Sequence, residues 1–534
     1  MRRFTQLFFE LDATNRTNEK VAALHRYFSE VPRRDAAWGL FFLSGARIAR
    51  AVNTPLLRMW VSEETGFPLW LVDECYSAVG DLAEALALLL PDNPRGTDEP
   101  LHCVAEESIM RIAAVPESEK RKIVVQTWSE MDSSQRLVWH KLISGAWRVG
   151  VARTLVVRAL AGVAGIEPGI MAHRLMGHWR PTEEDYNRLM SGETVTADPS
   201  QPYPFYLAYP LDFEPCDLGD VHEFQAEWKW DGIRSQFIHR GEYVLIWSRG
   251  EDLITDRFPE ISGIGPLLPD GTVLDGEIVA WRDNRPGPFQ HLQRRITRKT
   301  VDARIMREVP VAFLAYDIME ANGEDIRHTS MDQRRAMLEE ITLGLGDNEV
   351  FHLSPIQNAE GWSDLARLRE SSRENYAEGL MLKRRSSPYG VGRVRGDWWK
   401  WKIDPYTMDA VLIYAQRGSG KRAELYTDYT FGVWNEGELV TIAKAYSGLT
   451  DREIRDVDAF IRRNTLERFG PVRQVKPVLV FELGFEGLQH STRNKSKIAV
   501  RFPRILRWRQ DKPAEEADTL ETLRRMLDIV EAGK

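Results

Sequence analysis

At 534 residues the chain is too long for one hydrophobic core, and roughly two to four domains are expected. Its hydrophobic content of 43% and charged content of 28% are those of an ordinary soluble globular protein. With 71 basic against 79 acidic side chains the net charge is -8, which excludes a chain that is basic throughout but not nucleic-acid binding through local patches.

The opening MRRFTQLFFELDATN carries basic residues and a short apolar run, but acids interrupt it too early for a signal peptide. Residues 1 to about 190 read as helical. DAAWGLFFLSGARIARAV (35–52) and SSQRLVWHKLISGAWRVGVARTLVVRALAGVAG (133–165) repeat apolar residues at three- and four-residue spacing, and TEEDYNRLM follows with Thr182 as a cap. The Ser, Thr, Gly and Pro of SGETVTADPSQPYP (191–204) mark a linker. The period then changes to two. QFIHRGEYVLIWS predicts a hairpin turning near Arg240 and Gly241, and TVLDGEIVAW, VPVAFLAYDIM and EGLMLKRR predict further strands, with a helix in SMDQRRAMLEEIT. After WWKWKIDPYT the chain stays mostly β through DAVLIYAQRG and YTFGVWNEGELVTIAKAYSG, and a helix in EEADTLETLRRMLDIVEA follows. No apolar run approaches the length of a membrane span, and the nearest, EALALLL, is far too short. Cys75, Cys103 and Cys216 are widely spaced, which argues for a reducing cytosol rather than a disulfide framework. Basic clusters recur in the second half, at 293–300, 383–395 and 501–512.

The order is a helical module, an α+β core and a smaller β module. Early in the core, EWKWDG sets Lys229 between two tryptophans on a strand. A lysine there either snorkels, its stem along the rings and its ammonium in water, or acts as an activated nucleophile. The surrounding strands favour the second reading. SRGEDL, LDGEIVAW, AYDIM, EGLMLK and WWKWK each carry charge in or beside an apolar run, and buried charge must be paired or bound. Lysines, arginines and carboxylates lining one sheet fit a nucleotide, the cations facing phosphates and the carboxylates facing Mg²⁺.

The ordered set KWDG, SRGEDL, LDGE, AYDIM, EGLMLK and WWKWK resembles the nucleotidyltransferase motifs of the ATP-dependent DNA ligases. RFPRILRWRQDK is similar to their terminal motif, and YSAVGDLAEAL with LISGAWRVGVARTLVVRAL to their helical DNA-binding domain. The resemblance implies a multidomain protein. Residues 1–200 would be an all-α DNA-binding domain, 204–404 an α+β nucleotidyltransferase (ATP-grasp-like ligase) core, and 405–534 a β-barrel OB-fold domain with a helical tail. Lys229 would attack the α-phosphate of ATP. An unperturbed lysine is only ~0.1% neutral near neutral pH, so activation by Arg234, Lys400, Lys402 and partial burial is expected.

By the same resemblance Glu227 would accept the adenine amino group, and Tyr316 would stack on the base. Arg234 and Arg249 would lie near ribose and the nick phosphate, and Glu277 at the ribose or a metal. Glu378 would be the second metal-site carboxylate, while Lys383, Lys400 and Lys402 would contact phosphates. Arg395 fits the arginine ahead of the lysine pair, with Arg393 as the alternative. Arg509 and Lys512 of the terminal motif, which also contains Asp511, would orient the leaving pyrophosphate. The implied cofactors are ATP and Mg²⁺, with Mn²⁺ as a substitute, and the implied partner is nicked double-stranded DNA. A monomer is expected, in a bacterial or archaeal cytoplasm and without a membrane partner. An RNA ligase or a GTP-dependent capping-type nucleotidyltransferase shares the lysyl-nucleotide chemistry, but the helical N-terminal module argues against both. A non-catalytic DNA-binding scaffold is expected to have lost Lys229 or a metal-site carboxylate.

Overall fold

The computed structural model describes the chain except residues 47, 49–51, 146, 148, 177–178, 192–198, 297, 299–300, 419–423, 493 and 533–534. Half of the expected linker 191–204, part of the basic cluster 293–300, positions 47 and 49–51 of the segment 35–52 and two positions of the segment 133–165 thus lie outside the described residues. The chain forms two compact units. One gathers Met1–Val163, Arg180–Asn187 and Pro405–Lys534, and the other gathers Ala164–Trp179 and Arg188–Asp404.

In the first unit, the N-terminal region is helical, as its periodicity predicts. Helices Arg2–Ala13, Thr17–Glu30 and Arg33–Leu43 bury Phe4, Leu24, Trp38 and their neighbours. The segment 133–165 is two helices, not one: Ser133–Ile143 ends at Ser144, and Arg153–Ala164 begins the second. Gly145 adopts a left-handed φ of +70°, a conformation glycine tolerates and the helix does not. The start of Ser133–Ile143 is fixed by a capping box between Asp132 and Gln135.

The C-terminal region is a curled antiparallel sheet of the OB type. Its long strand Tyr406–Arg417 pairs with Tyr426–Asn435 along one edge; along the other it pairs first with Val480–Phe485 and then with Val472–Val475. Splitting one strand between two neighbours bends the sheet toward closure. A helix the alternation did not predict, Asp451–Arg463, sits within this region and buries Ile454, Val457 and Ile461 behind a Thr450–Glu453 capping box. Ser77 and the hairpin after Thr465–Phe469 meet inside this unit: Ser77 Oγ donates to Gly470 O at 2.8 Å, and Arg473 Nη2 donates to Ser77 Oγ at 3.0 Å.

The second unit is built on two main sheets. A four-stranded sheet runs Tyr209–Pro210, Trp398–Lys402, Ala377–Arg384, Phe224–Trp230. A larger one has Ile233–Arg240 between Tyr243–Ser248 and Thr272–Arg282, with Val311–Ala321 and Phe351–Leu353 beyond. The predicted hairpin turns at Gly241, whose φ is +57°. One face of the larger sheet buries Phe237, Leu274, Ile278, Phe313 and Ile318 against Leu338 of the helix Met331–Leu345. The helix Pro168–Arg174 also belongs to this unit. His173 stacks on Tyr203 with ring centroids 5.1 Å apart, and Gln201 Nε2 donates to His173 O. Among the described residues no single helix is long and apolar enough to cross a membrane.

Candidate active site

Alternation along three strands gives the four-stranded sheet one apolar and one polar face. Phe224, Ala226, Trp228, Leu380 and Leu382 pack into a hydrophobic cluster. The other face carries Gln225, Glu227 and Lys229 on one strand, Met381 and Lys383 on the next, and Trp398, Lys400 and Lys402 on the third. Cross-strand register sets Met381 opposite both Glu227 and Lys400, and Lys383 opposite both Gln225 and Trp398.

Glu378 has the wrong parity for this face. It shares a phase with Leu380 and Leu382, which are buried on the apolar side. The pairing with Phe224–Trp230 shifts between Ala377 and Leu380, a β-bulge that inserts one residue. At the bulge Gly379 has φ of +137°, and a Cβ there would overlap the carbonyl oxygen of Trp401. Only glycine fits, and the phase change brings Glu378 to the polar face. There its carboxylate accepts hydrogen bonds from Lys229 Nζ and, at 3.0 Å, from Lys402 Nζ. Burial pushes Glu378 up, but the two ammonium groups outweigh it and hold the carboxyl at about 2.

The larger sheet supplies the facing residues. Arg234 lies opposite Glu277. The glycine of the K-x-D-G sequence, Gly232, passes so close to this strand that a Cβ would overlap the carbonyl oxygen of Ile278. Glu277 is partly exposed in the pocket, yet the protein around it pushes its carboxyl up to about 8, against the pull of Lys229 and Arg234. Arg234 is bound through both edges of its guanidinium. Nη2 donates to Asp275 Oδ2 at 2.6 Å, Nε to Oδ1 at 3.1 Å, and Nη1 to Tyr206 O at 2.7 Å. Asp275 is fully buried and also accepts from Tyr389 Oη at 2.7 Å. Between Asp275 and Gly276 the partner strand advances two residues, from Asp317 to Ala315. Tyr316 is the extra residue, turned by this second bulge to lie beneath Lys383, whose Nζ is 4.4 Å from the ring centroid.

Glu227, 1% exposed, forms the buried end of the pocket. Its two oxygens accept from Lys383 Nζ at 3.1 and 3.2 Å, and Gln225 Nε2 donates to one of them. Lys383 is thereby separated from the other two lysines: it pairs with Glu227 and lies over Tyr316 and Trp398, whereas Lys402 pairs with Glu378. Burial, then Arg393, Lys229 and Lys402, push the Lys400 ammonium below its ordinary range. Of the two arginines considered ahead of the lysine pair, Arg393 acts on Lys400; Arg395 is exposed and makes no side-chain hydrogen bond or ion pair with the described residues. Arg249 is exposed, and its backbone N–H donates to Arg234 O at 2.9 Å.

The structure therefore brings Glu227, Lys229, Arg234, Glu277, Tyr316, Glu378, Lys383, Lys400 and Lys402 onto facing surfaces of one unit. Arg509 and Lys512 belong to the other unit, where both hydrogen-bond Asp409. Sequence reasoning omitted Gln225, Tyr389 and Trp398 from the site. Gln225 was within reach, since it lies four residues before Lys229 on the same strand face. Tyr389 sits in a loop, where no period marks it.

Among the described residues there is no cluster of three or more His, Cys, Asp or Glu side chains able to hold a metal. Two carboxylates beside Lys229, Lys400 and Lys402 still fit Mg²⁺, which keeps several waters and relies on substrate phosphates rather than a full protein cage. Glu277, whose carboxyl burial pushes above the usual carboxylate range, would exchange its proton for such a cation on binding it.

A lysine facing carboxylates across two sheets, accompanied by an OB-type sheet and a helical region, defines a multidomain nucleotidyltransferase. The family models agree. "DNA ligase N terminus" matches residues 1–161, "ATP dependent DNA ligase domain" residues 217–402, and "ATP dependent DNA ligase C terminal region" residues 422–512. A probable DNA ligase of Koribacter versatilis is 33% identical over 541 residues, covering 95% of this chain and 93% of that protein. A DNA ligase of Methanothrix thermoacetophila is 29% identical, covering 98% of this chain and 97% of that protein. The solved structure described as Pmar-Lig_PreS3 shares the fold at a TM-score of 0.58 and 13% identity, covering 95% of this chain and 99% of that one. The chain belongs to the ATP-dependent DNA ligase family. Its enzyme class is ligase, with ATP as the nucleotide and DNA as the macromolecule bound.

Proposed function

We propose that the protein seals 5′-phosphate/3′-hydroxyl nicks in duplex DNA in three steps centred on Lys229. The observation that carries this reading is the position of Lys229: it shares a strand face with Glu227 and reaches Glu378 across the bulge. In the first step Lys229 must give up the proton it holds toward Glu378. Its amine then attacks the α-phosphate of ATP, the N–P bond forms with loss of the second amine proton, the bond between the α-phosphorus and its bridging oxygen breaks, and pyrophosphate leaves. Lys400 and Lys402 offset phosphate charge, while Glu227 reads the adenine amino group and Tyr316 packs against the base. In the second step the 5′-phosphate at the nick takes the adenylyl group from Lys229. In the third the 3′-hydroxyl attacks that phosphate and AMP leaves.

Glu277 and Glu378 would hold Mg²⁺, which when bound supplies charge stabilisation on the phosphoryl oxygens. Arg509 and Lys512 act in the first step alone, at the leaving pyrophosphate. The helical region contacts duplex phosphates without reading sequence, and the enzyme acts as a monomer. The reading is tested by incubation with ATP or GTP labelled at the α-phosphate, followed by nicked DNA or nicked RNA. Labelling by ATP and joining of nicked DNA is the expected result. Labelling by GTP, or joining of RNA alone, would give the chain to the capping-type or RNA-joining branch.

A further inference from the structure

Both cations of the terminal motif end on one carboxylate oxygen. Arg509 Nη1 donates to Asp409 Oδ2 at 2.9 Å, and Lys512 Nζ donates to the same atom at 2.7 Å. Arg509 also forks onto Asp511, with Nη2 2.9 Å from Asp511 Oδ2. Asp511 is largely exposed, whereas Asp409 is buried in the strand Tyr406–Arg417. The backbone of Asp409 is pinned on both sides by Asp518: its N–H donates to Asp518 Oδ2 at 2.7 Å, and its carbonyl accepts from Asp518 N–H at 2.9 Å. The other side-chain oxygen, Oδ1, is buried and has no hydrogen-bond partner among the described residues. Among the described residues the side-chain hydrogen bonds of Asp409 thus go to the two cations. Across the ladder its neighbour Glu482 is engaged by Arg507 at 2.6 Å.

Two positive groups gathered at one point repel each other unless an anion lies between them. Arginine and lysine also carry long side chains with much rotamer freedom, which a fixed partner removes in advance. A carboxylate on a strand with both backbone groups held is such a partner. We propose that Asp409 is a positioning residue: it sets Arg509 and Lys512 as a preorganised pair for the triphosphate in self-adenylation, and it touches no substrate itself. This rests on the reading that the terminal-motif cations act in that step.

The test compares two steps in the full-length protein: labelling by ATP, and sealing of a nick already carrying 5′-adenylate. Asp409→Ala is expected to slow labelling by roughly tenfold or more and to leave sealing near the wild-type rate. Asp409→Asn removes the charge but keeps an acceptor oxygen and nearly the same shape, so it should show a smaller loss at the same step and a melting temperature close to wild type. In an Arg509→Ala, Lys512→Ala background the Asp409 substitutions should add nothing further. Equal losses at both steps would make Asp409 a purely structural residue and overturn the proposal. Unchanged or faster labelling by both variants would overturn it as well. Normal labelling by Arg509→Ala marks failure of the underlying reading, whereas slow labelling by Arg509→Ala with normal labelling by Asp409→Ala marks failure of this inference alone.

Discussion

Gly379→Ala separates the contribution of one bulge from that of the residue types around it. The glycine occupies φ of +137°, where an L-residue is strained by about 1–3 kcal/mol. Its new Cβ would also overlap the Trp401 carbonyl, a backbone atom of the adjacent strand that no rotamer change can move aside. The strands must part, and losing one or two ladder hydrogen bonds costs about 1 kcal/mol each. The total of about 2–5 kcal/mol corresponds to a fall of roughly 5–15 °C in the melting temperature of a domain of this size. If the ladder relaxes by expelling the bulge, Glu378 returns to the apolar phase and leaves Lys229 and Lys402. Labelling by ATP, measured where the variant is still folded, should then fall far more than the folded fraction does. Unchanged melting would refute the strain argument. Lowered melting with unchanged labelling would refute the role of the bulge in placing Glu378.

Two more predictions concern charge and boundaries. An unfolded glutamate releases its proton near 4.5, but Glu277 in the folded chain holds its proton to about 8, so its contribution to stability is full below the lower value and is lost as pH rises to the upper one. The slope is at most about 1.4 kcal/mol per pH unit and is reduced by the partial exposure of the group. The melting temperature of wild type should therefore fall relative to Glu277→Gln across that window and run parallel above it; parallel profiles throughout would contradict the assignment. Because His173 stacks on Tyr203 and Gln201 holds the helix Pro168–Arg174, a truncated protein beginning at Ala164 should melt higher than one beginning at Pro204. Both should bind nicked duplex more weakly by orders of magnitude and with a shallower salt dependence, since fewer phosphates are neutralised; full-strength sealing at physiological salt by either would remove the helical region from DNA binding.

Much of this was legible in the sequence because strands and helices write their periods into it. The alternation in FQAEWKW places Glu227 and Lys229 on one face, and Ser330 with Gln333 announces the helix Met331–Leu345. The bulges at Gly379 and Tyr316 were not legible, because they arise from pairing with strands distant in sequence. Parity alone would have turned Glu378 inward; only the motif resemblance put it in the site. The partner of Lys383 escaped for a similar reason: Glu227 lies 156 residues away, and burial between Tyr316 and Trp398 is a property of the assembled sheets. The motif resemblance preferred Arg395 to Arg393, and the interaction of Arg393 with Lys400 appears only once Lys400 has a position. The helix Asp451–Arg463 was missed inside a β-rich stretch although Thr450 and Glu453 mark its start, a local signal outweighed by the texture of its neighbours.

The central claim is that Lys229 alone accepts the adenylyl group, and its most direct test is mass spectrometry of the protein after incubation with ATP and Mg²⁺. The account predicts one AMP per chain, acid-labile and mapped to the peptide containing Lys229. It also predicts no adduct on Lys229→Ala or on Lys229→Arg, whose guanidinium stays protonated and cannot attack. An adduct on another residue, or one that persists in either variant, would contradict it.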